Sequence, residues 1–462
     1  MNILLIGNGF DLAHGLPTKY TDFLEFVKMI KIIKEQNIFN NGFAISEVGC
    51  NVNNEKLHQA IRLTILNKAN NNELARDSKE LLDYIDHNFW IDYFLQCQSY
   101  LEENWIDFES EIRNVIRCFH DNILNIDINN KASRLEISND FLRDFFITDV
   151  DKLEQDRAED LQREIDNYKA ALTASEYSDY KNLYDKEHPK NMLPDITYRE
   201  IMRKLEQDLN NLISALEIYI ADYIDNIPVT RKSPDIELLL NGSDDNTLNR
   251  FISFNYTHTL NRVYGVEVID DEHGCNFDFI HGAARKNRSN SANNIILGID
   301  EYLSDGKENN DLRFIAFKKY YQRIYKETGE QSAYWADEIK RGYDIYKSKI
   351  EYAKERSLYK SSPTDNFYYK HNLIPVGDVF LERHNLYIFG HSLDDTDGDI
   401  LRRLILNDNV YTTIFYHDEE THARQIANLV KVIHQDELIR RTGGSTKTIR
   451  FKPQQGMDEI KN

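Results

Sequence analysis

The sequence has few of the residues that hold structural metals or disulfides. Four cysteines lie far apart in 462 residues, at positions 50, 97, 118 and 275, and none forms a CxxC pair. Zinc sites and disulfide frameworks need closely spaced or paired cysteines. We therefore expect reduced thiols, as in the cytoplasm, and no bound metal.

Long apolar runs and an excess of basic residues are also missing. The chain carries 77 acidic and 56 basic residues, a formal net charge of −21. Such a charge opposes binding to nucleic acid and to anionic membranes. No run approaches the roughly 18 apolar residues of a membrane-spanning helix, and Met1 is not followed by a secretory signal. We expect a cytoplasmic protein that binds neither membranes nor, directly, nucleic acid.

Proline and glycine are scarce, with 8 and 19 residues, whereas 41% of the chain is hydrophobic. This composition is typical of a folded protein without long linkers. From about residue 20 to 227, apolar residues recur at helical spacing. In the segment LLDYIDHNFWIDYFLQCQSYLEENWIDFESEIRNVIRCF they predict a helix with one buried, aromatic face.

Short β-prone runs that end in polar or glycine residues occur in separate parts of the chain. Besides residues 2–6, they lie near Ile252, Phe279, Ile388 and Ile414. They predict an α/β fold whose Rossmann-type parallel sheet is assembled from discontinuous segments. The predicted core comprises residues 1–30, 248–300 and 376–462, with a helical insertion at 31–247 and a second at 301–375.

The first strand runs directly into Gly7-Asn8-Gly9-Phe10-Asp11. Glycine permits close backbone approach, and Asn8 or Asp11 could cap a following helix. Together these features predict backbone N–H groups that receive an anion. A tight turn without a ligand is the alternative.

Polar residues follow the other predicted strands as well, at the edge where ligands of parallel sheets bind. Each has a structural alternative: His281 could be a hydrogen-bonding residue, Asn255 an Asx-turn residue, and the SLDDTD segment a helix cap. The strand-end residues beyond the first turn are Asn255, Tyr256, Thr257, His258, His281, Gly282, His391, Ser392, Asp394, Asp395 and Asp397.

Several motifs in order resemble the AbiH family, which is associated with bacterial abortive infection against phage. They are LLIGNGFDLAHGLPTKYTDFL, WIDFESEI, FISFNYTHTL, FIHG, ILGID and IFGHSLDDTD. The resemblance implies a role in antiviral defence, with a phage-encoded trigger as an expected partner. The helical parts, rich in tyrosine and charge, could carry recognition of that trigger or the homo-oligomerisation that is common among sirtuin-like defence proteins.

The same order is more loosely similar to sirtuin-like NAD-binding domains. This resemblance implies that Gly7-Asn8-Gly9 lies at the NAD phosphates, that Asn255 and His281 act at the nicotinamide ribose, and that Gly390 and Ser392 contact phosphate or ribose. The sequence lacks the Gln-Asn-x-Asp signature and the four-cysteine zinc module of deacetylases. A zinc-free NAD hydrolase therefore fits better than a deacetylase.

Cleavage of the N-glycosidic bond of NAD passes through a cationic ribose. Asn255 would orient a water or a ribose hydroxyl, His281 would accept a proton, and acidic residues would stabilise the cation. The predicted catalytic residues are Asn255 and His281. The predicted nucleotide-binding residues are Gly7, Asn8, Gly9, Phe10, Asp11, Gly282, Gly390, His391, Ser392, Asp395 and Asp397.

Two further carboxyl groups have open roles. Glu109 shares a predicted helix face with Phe108 and Ile112, where burial would raise its pKa. It either reaches the ligand pocket or pairs within the helical insertion. Asp300 either lies near the ligand or begins the second insertion.

The main function hypothesis is NAD depletion by hydrolysis during phage infection. A second hypothesis is a nucleotide sensor that binds NAD or ADP-ribose without turnover and acts on a partner. A third is a metal-dependent phosphodiesterase or nuclease built on HSLDDTD, which the net charge disfavours.

Overall fold

The structure is a computed structural model. It describes residues 1–35, 55–57, 59–61, 74–100, 106–120, 140–145, 193–242, 248–271, 274–286, 293–300, 312–359 and 381–460, with single positions between 155 and 166. Trp105 of the WIDFESEI motif and Cys50 lie outside these residues.

Six parallel strands form the central sheet. Counted along the chain within this sheet, the order is 3-2-1-4-5-6, that of a doubly wound Rossmann fold. The predicted α/β class with helical insertions is confirmed. The strands are β1 (Asn2–Ile6), β3 (Arg250–Ser253), β6 (Phe277–Phe279), β7 (His384–Phe389), β8 (Val410–Tyr416) and β9 (Ile449–Pro453).

Two small antiparallel pairs lie outside the central sheet. One joins β2 to β10, and the other joins β4 to β5. Their strands are β2 (Arg231–Lys232), β4 (Asp270–Asp271), β5 (Gly274–Cys275) and β10 (Asp458–Glu459).

The strand β1 lies between β3 and β7, and its sequence is apolar because both faces of the sheet are covered there. Ile3 and Leu5 pack into a cluster with Leu401 on one face. Leu4 and Ile6 pack with Ile236 on the other. A strand buried on both sides needs a continuous apolar run, which residues 2–6 nearly provide.

Helices surround the sheet and form most of the segments between its strands. They are α1 (Asn8–Ala13), α2 (Tyr20–Glu35), α3 (Leu74–Ile85), α4 (Phe89–Tyr100), α5 (Phe108–Phe119), α6 (Asp140–Asp144), α7 (Leu193–Ile218), α8 (Pro234–Leu240), α9 (Thr259–Tyr264), α10 (Lys319–Lys326), α11 (Glu330–Tyr359), α12 (Gly398–Ile405), α13 (Glu419–Ile433) and α14 (Gln435–Thr442). A π-helical turn (Tyr219–Tyr223) and 3₁₀ turns at Ile224–Asn226, Leu312–Phe317, Asp395–Asp397 and Gly444–Thr446 complete the described elements. No helix in the described ranges is long and apolar enough to span a membrane.

The aromatic segment predicted as one helix is divided among α3, α4 and α5. The first break follows from His87, whose φ is +53°, and from Asn88. Asn88 Oδ1 accepts hydrogen bonds from the backbone N–H groups of Trp90 and Ile91, at 3.1 and 3.2 Å. An asparagine in this role caps a new helix. Buried aromatic residues lie on α4 (Trp90 and Phe94) and on α5 (Phe108), whereas the buried residues of α3 include the aliphatic Leu81 and Ile85.

Two glycine turns pack backbone to backbone above β1 and β7. Gly7 N donates to Phe389 O at 3.1 Å, and Gly9 N donates to Gly390 O at 2.7 Å. A Cβ at Gly7 would lie 2.8 Å from His391 Cα, and a Cβ at Gly9 would lie 2.8 Å from Gly390 Cα. Glycine is therefore required here because the chain's own backbone fills this space.

Gly390 provides a test of this contact. Its φ is +68°, and an added Cβ would lie 2.1 Å from Phe10 N. Gly265 has a similar φ of +67° with nothing within 4 Å of its Cβ position. We expect Gly390→Ala to lower the free energy of unfolding by about 3 kcal/mol or more, and Gly265→Ala by about 1 kcal/mol. If chemical denaturation showed the same loss of unfolding free energy for both variants, the described packing of Gly390 would be contradicted.

Candidate functional site

A cavity of about 130 Å³ lies at the carboxyl ends of β1, β3 and β6. Asn8 and Asp11 reach it from α1, Phe254 to Thr257 from the segment after β3, and His281 from the segment after β6. The helical insertion supplies the opposite wall. The remaining lining residues are Thr18, Lys19, Tyr20, Leu216, Tyr219 and Ile220.

The opposite wall contains a local departure from α-helical geometry. The long α7 ends in the π-helical turn that carries Tyr219. Tyr219 is buried, and its hydroxyl donates to Pro17 O at 2.7 Å. Single π turns inside helices occur frequently at functional sites. Here the turn fixes an aromatic side chain against the loop that follows α1.

Asp11 is a buried carboxyl group with incomplete hydrogen bonding. It is 1% exposed, and Thr257 Oγ1 donates to its Oδ2 at 2.8 Å. Among the described residues, none forms a hydrogen bond with its Oδ1. Burial raises the pKa of Asp11 to about 7, against the opposing effect of the Thr259 and Thr257 hydroxyl groups. Asp11 can therefore hold or release a proton near neutral pH.

Asn255 connects the cavity to the first glycine turn. Its Nδ2 donates to Gly7 O at 3.0 Å, and its backbone N–H donates to Ser253 Oγ at 3.1 Å. Since these bonds fix the side chain, Asn255 is held rigidly at the cavity wall. It also holds the carbonyl group of the turn between β1 and α1.

His281 and His391 share one buried carboxylate. His281 Nε2 lies 3.2 Å from Asp397 Oδ1, and His391 Nε2 lies 3.5 Å from Asp397 Oδ2. His391 Nδ1 accepts from Leu393 N at 2.9 Å, which places the proton of the neutral ring on Nε2, facing Asp397. The ring of Phe254 contacts both imidazoles.

The tautomer of His281 follows from its two neighbours. Arg323 Nη2 also approaches Nε2, at 3.5 Å, but Asp397 is nearer. A carboxylate requires a donor, so the neutral ring carries its proton on Nε2. Among the described residues, none forms a hydrogen bond with Nδ1. The lone pair on Nδ1 is then available to accept a proton.

A lysine from the second insertion lies against the same carboxylate. Lys319 is 1% exposed, with Nζ 2.7 Å from Glu109 Oε2 and 3.4 Å from Asp397 Oδ1. Arg323 adds a second cation, paired with Asp399 at 2.9 Å. Burial raises the pKa of Glu109, although Lys319 opposes it. The expected rise in the pKa of Glu109 is present, and its carboxylate pairs with an ammonium group.

These charges set the protonation of His281. Burial and the Lys319 ammonium lower its pKa to about 4, although Asp397 acts in the opposite direction. Although burial opposes ionisation, Lys319 and His281 hold the pKa of Asp397 well below its usual range. At neutral pH the site therefore contains a neutral imidazole oriented by an ionised carboxylate.

The structure brings many of the predicted site residues together. Asn8, Asp11, Asn255 and His281 line the cavity. His391 and Asp397 lie behind His281. Gly7, Gly9 and Gly390 form the packed turns, so they support the cavity from below and do not line it.

Other predicted residues lie elsewhere. Phe10 is fully buried against His14 and Phe389 in the core. Ser392 and Asp395 are exposed to solvent. Gly282, with φ of +74°, packs against the backbone of Asn294. These four do not line the cavity, and their predicted contacts with a nucleotide stay predictions.

Sequence reasoning missed Lys319 and Arg323. Both belong to a charged helical segment, FKKYYQRIYKE, in which neither cation stands out from its neighbours. Their partners are 78 and 76 positions away along the chain. Burial raises the pKa of Asp300 to about 6, although Lys319 and Arg323 act in the opposite direction.

The protonation of Asp11 can be tested through stability. The pKa of this group is 3.8 in its ordinary state and about 7 in the fold. Between these values the folded protein keeps a proton that the unfolded chain has lost, so wild-type stability falls as pH rises. The stability of Asp11→Asn relative to wild type should increase between pH 4 and pH 8, by up to about 4 kcal/mol.

Asp235→Asn is the control, because the fold lowers the pKa of Asp235 whereas it raises the pKa of Asp11. Although burial opposes ionisation, hydrogen bonds from Gln455 and Lys452 lower the pKa of Asp235. Its variant should lose stability relative to wild type as pH rises through the acidic range. Parallel pH profiles for the two variants would contradict the assignment for Asp11.

Comparison with known proteins places the chain in a family. No curated protein and no solved structure matches it. The sequence profile described as "Bacteriophage abortive infection AbiH" matches residues 3–417, which include all of β1 but its first residue, together with β3, β6, β7 and the cavity residues. The chain therefore belongs to the AbiH family of bacteriophage abortive infection proteins.

Proposed function

We propose that the cavity binds the nicotinamide-bearing ribose of NAD, or of a related nucleotide, and that the protein hydrolyses its N-glycosidic bond. The main support is the arrangement of His281. Its Nε2 faces the Asp397 carboxylate at 3.2 Å, and the residue lines the same cavity as Asp11 and Asn255. A base and a carboxyl group in one enclosed site are what this hydrolysis requires.

The reaction assigns a distinct step to each group. The bond between ribose C1′ and the nicotinamide nitrogen breaks, and its electron pair leaves with nicotinamide. Water forms the new bond to C1′ and gives its proton to His281 Nδ1, and the products are nicotinamide and ADP-ribose. The Asp397 carboxylate stabilises the imidazolium that forms.

Asp11 would act in its ionised form. A carboxylate beside the ribose stabilises the positive charge that develops as the bond breaks. The cationic nicotinamide ring of bound NAD would itself favour ionisation of Asp11, since an opposite charge lowers the pKa of a carboxyl group. Asn255, fixed by its bond to Gly7, would orient the ribose or the water.

The size of the cavity limits which part of the nucleotide is enclosed. Pockets that enclose a whole drug-sized ligand usually measure about 300–1,000 Å³. At about 130 Å³, this cavity has room for one ring system. The diphosphate and adenosine would lie outside it, beyond Lys19 and Asn8 at the rim.

NAD turnover by the purified protein tests the proposal, measured by chromatography of nicotinamide and ADP-ribose with phage components present. His281→Ala should lower kcat by about 10²–10⁴-fold, the usual cost of losing a general base. Asn255→Ala should also lose activity. His417→Ala is a matched control, since His417 pairs with Asp418 at the end of β8 but is 76% exposed. Absence of turnover in wild type under all conditions would refute the hydrolase.

The pH dependence of kcat/KM tests the role of Asp11. This ratio reports ionisation in the free enzyme. It should rise with pH to a plateau, with a midpoint near the Asp11 pKa of about 7, because only the carboxylate stabilises the cation. Asp11→Asn should remove this midpoint and lower the plateau by about 10²-fold. A wild-type profile that is flat or falling between pH 6 and pH 8 would contradict the role.

A nucleotide sensor is the second candidate. The bond from Asn255 to Gly7 couples the cavity wall to the turn that packs on Gly390. Ligand binding at Asn255 could therefore be transmitted through the sheet without chemistry. NAD or ADP-ribose binding by calorimetry, without turnover and unaffected by His281→Ala, would favour the sensor.

The metal-dependent phosphodiesterase is less well supported. In the HSLDDTD segment the buried carboxylate is Asp397, which already contacts Lys319 and lies 3.9 Å from Arg323. A metal ion there would meet two fixed cations.

In infected cells, the hydrolase would deplete NAD, which is how we propose that the protein contributes to abortive infection. A phage-encoded trigger and a homo-oligomer stay predictions.

A further inference from the structure

Both helical insertions meet the core at one buried ammonium group. Lys319 is the first residue of α10. Its Nζ contacts Glu109 Oε2, from α5 of the first insertion, and Asp397 Oδ1, from the core. Asp397 in turn contacts His281. The four groups form a continuous chain of ion pairs and hydrogen bonds, and every member is largely buried.

We propose that Lys319 is a positioning residue: it holds the Asp397 carboxylate against the His281 ring and links both helical insertions to the candidate site. A buried charge is costly unless its partners are fixed around it. Here one ammonium lies between two carboxylates from different parts of the chain, so its position constrains both. The consequence for catalysis rests on the proposed hydrolase, whereas the effect on His281 can be measured without a substrate.

The charged groups around His281 come from several elements. The cations are Lys319 and Arg323 of α10, and the carboxyl groups are Glu109 of α5, Asp300, Asp397 and Asp399. Tyr256 lies beside the His281 ring, and His391 shares the Asp397 carboxylate with it. Without Lys319, Arg323 is the remaining cation among the described residues that contacts Asp397 and Asp399. His281 would then gain a proton more readily, and Asp397 would lose the ammonium that holds it in place.

Histidine NMR of the intact protein is the test. With isotope-labelled histidine, the His281 signal is assigned by its loss in His281→Gln and followed against pH. In wild type it should titrate near the pKa of about 4 that burial and Lys319 impose. In Lys319→Met the titration should move upward by at least about one pH unit.

Two variants separate charge from volume. Lys319→Gln is neutral but keeps hydrogen-bond donors for Glu109 and Asp397, and it should show the same upward shift. Lys319→Arg keeps the charge and should titrate near wild type. Lys326→Met is the matched control, because Lys326 lies on the same helix, and its Nζ donates to Ile295 O at 2.6 Å. It should leave the His281 titration unchanged.

The outcomes are distinct. A folded neutral variant in which His281 titrates as in wild type would overturn the proposal. Failure of both neutral variants to fold, beside a folded Lys326→Met, would assign Lys319 a structural role and would also overturn it. If wild type cleaves NAD, Lys319→Gln should lower kcat with little change in KM. If it does not, the hydrolase fails, while the His281 titration still decides the role of Lys319.

Discussion

The backbone contact between two glycine turns fills the place where doubly wound sheets usually bind their ligands. In a doubly wound sheet, ligands usually enter the crevice where the strand order reverses, which here lies between β1 and β7. Gly7, Gly9 and Gly390 close that crevice, because their backbones pack against each other without side chains between them. The open space lies beside it, above β1, β3 and β6. Asp11, Asn255 and His281 meet in that space.

A buried charge cluster supports this cavity from the side. Asp397 is in contact with His281, His391 and Lys319, and Lys319 extends the cluster to Glu109. Charge clusters of this kind are rarely kept for stability alone, since well-packed apolar groups can replace them at little cost. The electrostatic role that we propose at His281 would account for this cluster, which joins residues from both insertions at one site.

The fold was largely predictable from the sequence. Short apolar runs that end in polar residues marked β1, β3, β6, β7 and β8, because buried parallel strands need such runs. β9 was missed, since IRFKP alternates charged and apolar residues as an edge strand does. The helical breaks at His87 and Asn88 were also missed, because apolar periodicity continues through them.

The site was predictable only in part. Strand-end position identified Asp11, Asn255, His281, His391 and Asp397, because carboxyl ends of parallel strands share one edge. A position at the end of a strand does not show whether a side chain faces the cavity. The buried Phe10 and the exposed Ser392 were therefore predicted together with the residues that do. The place of Lys319 at the site results from tertiary contacts with Glu109 and Asp397, which are distant along the chain. Local sequence does not encode such contacts.

The most direct test of the account is a crystal structure with a non-hydrolysable NAD analogue bound. We expect the nicotinamide ribose to lie in the cavity, with a hydroxyl or C1′ within reach of His281 Nδ1 and the Asp11 carboxylate beside the ring. The diphosphate should lie outside, toward Lys19. An analogue bound elsewhere, or a ribose on the far side of the glycine turns from His281, would contradict the account.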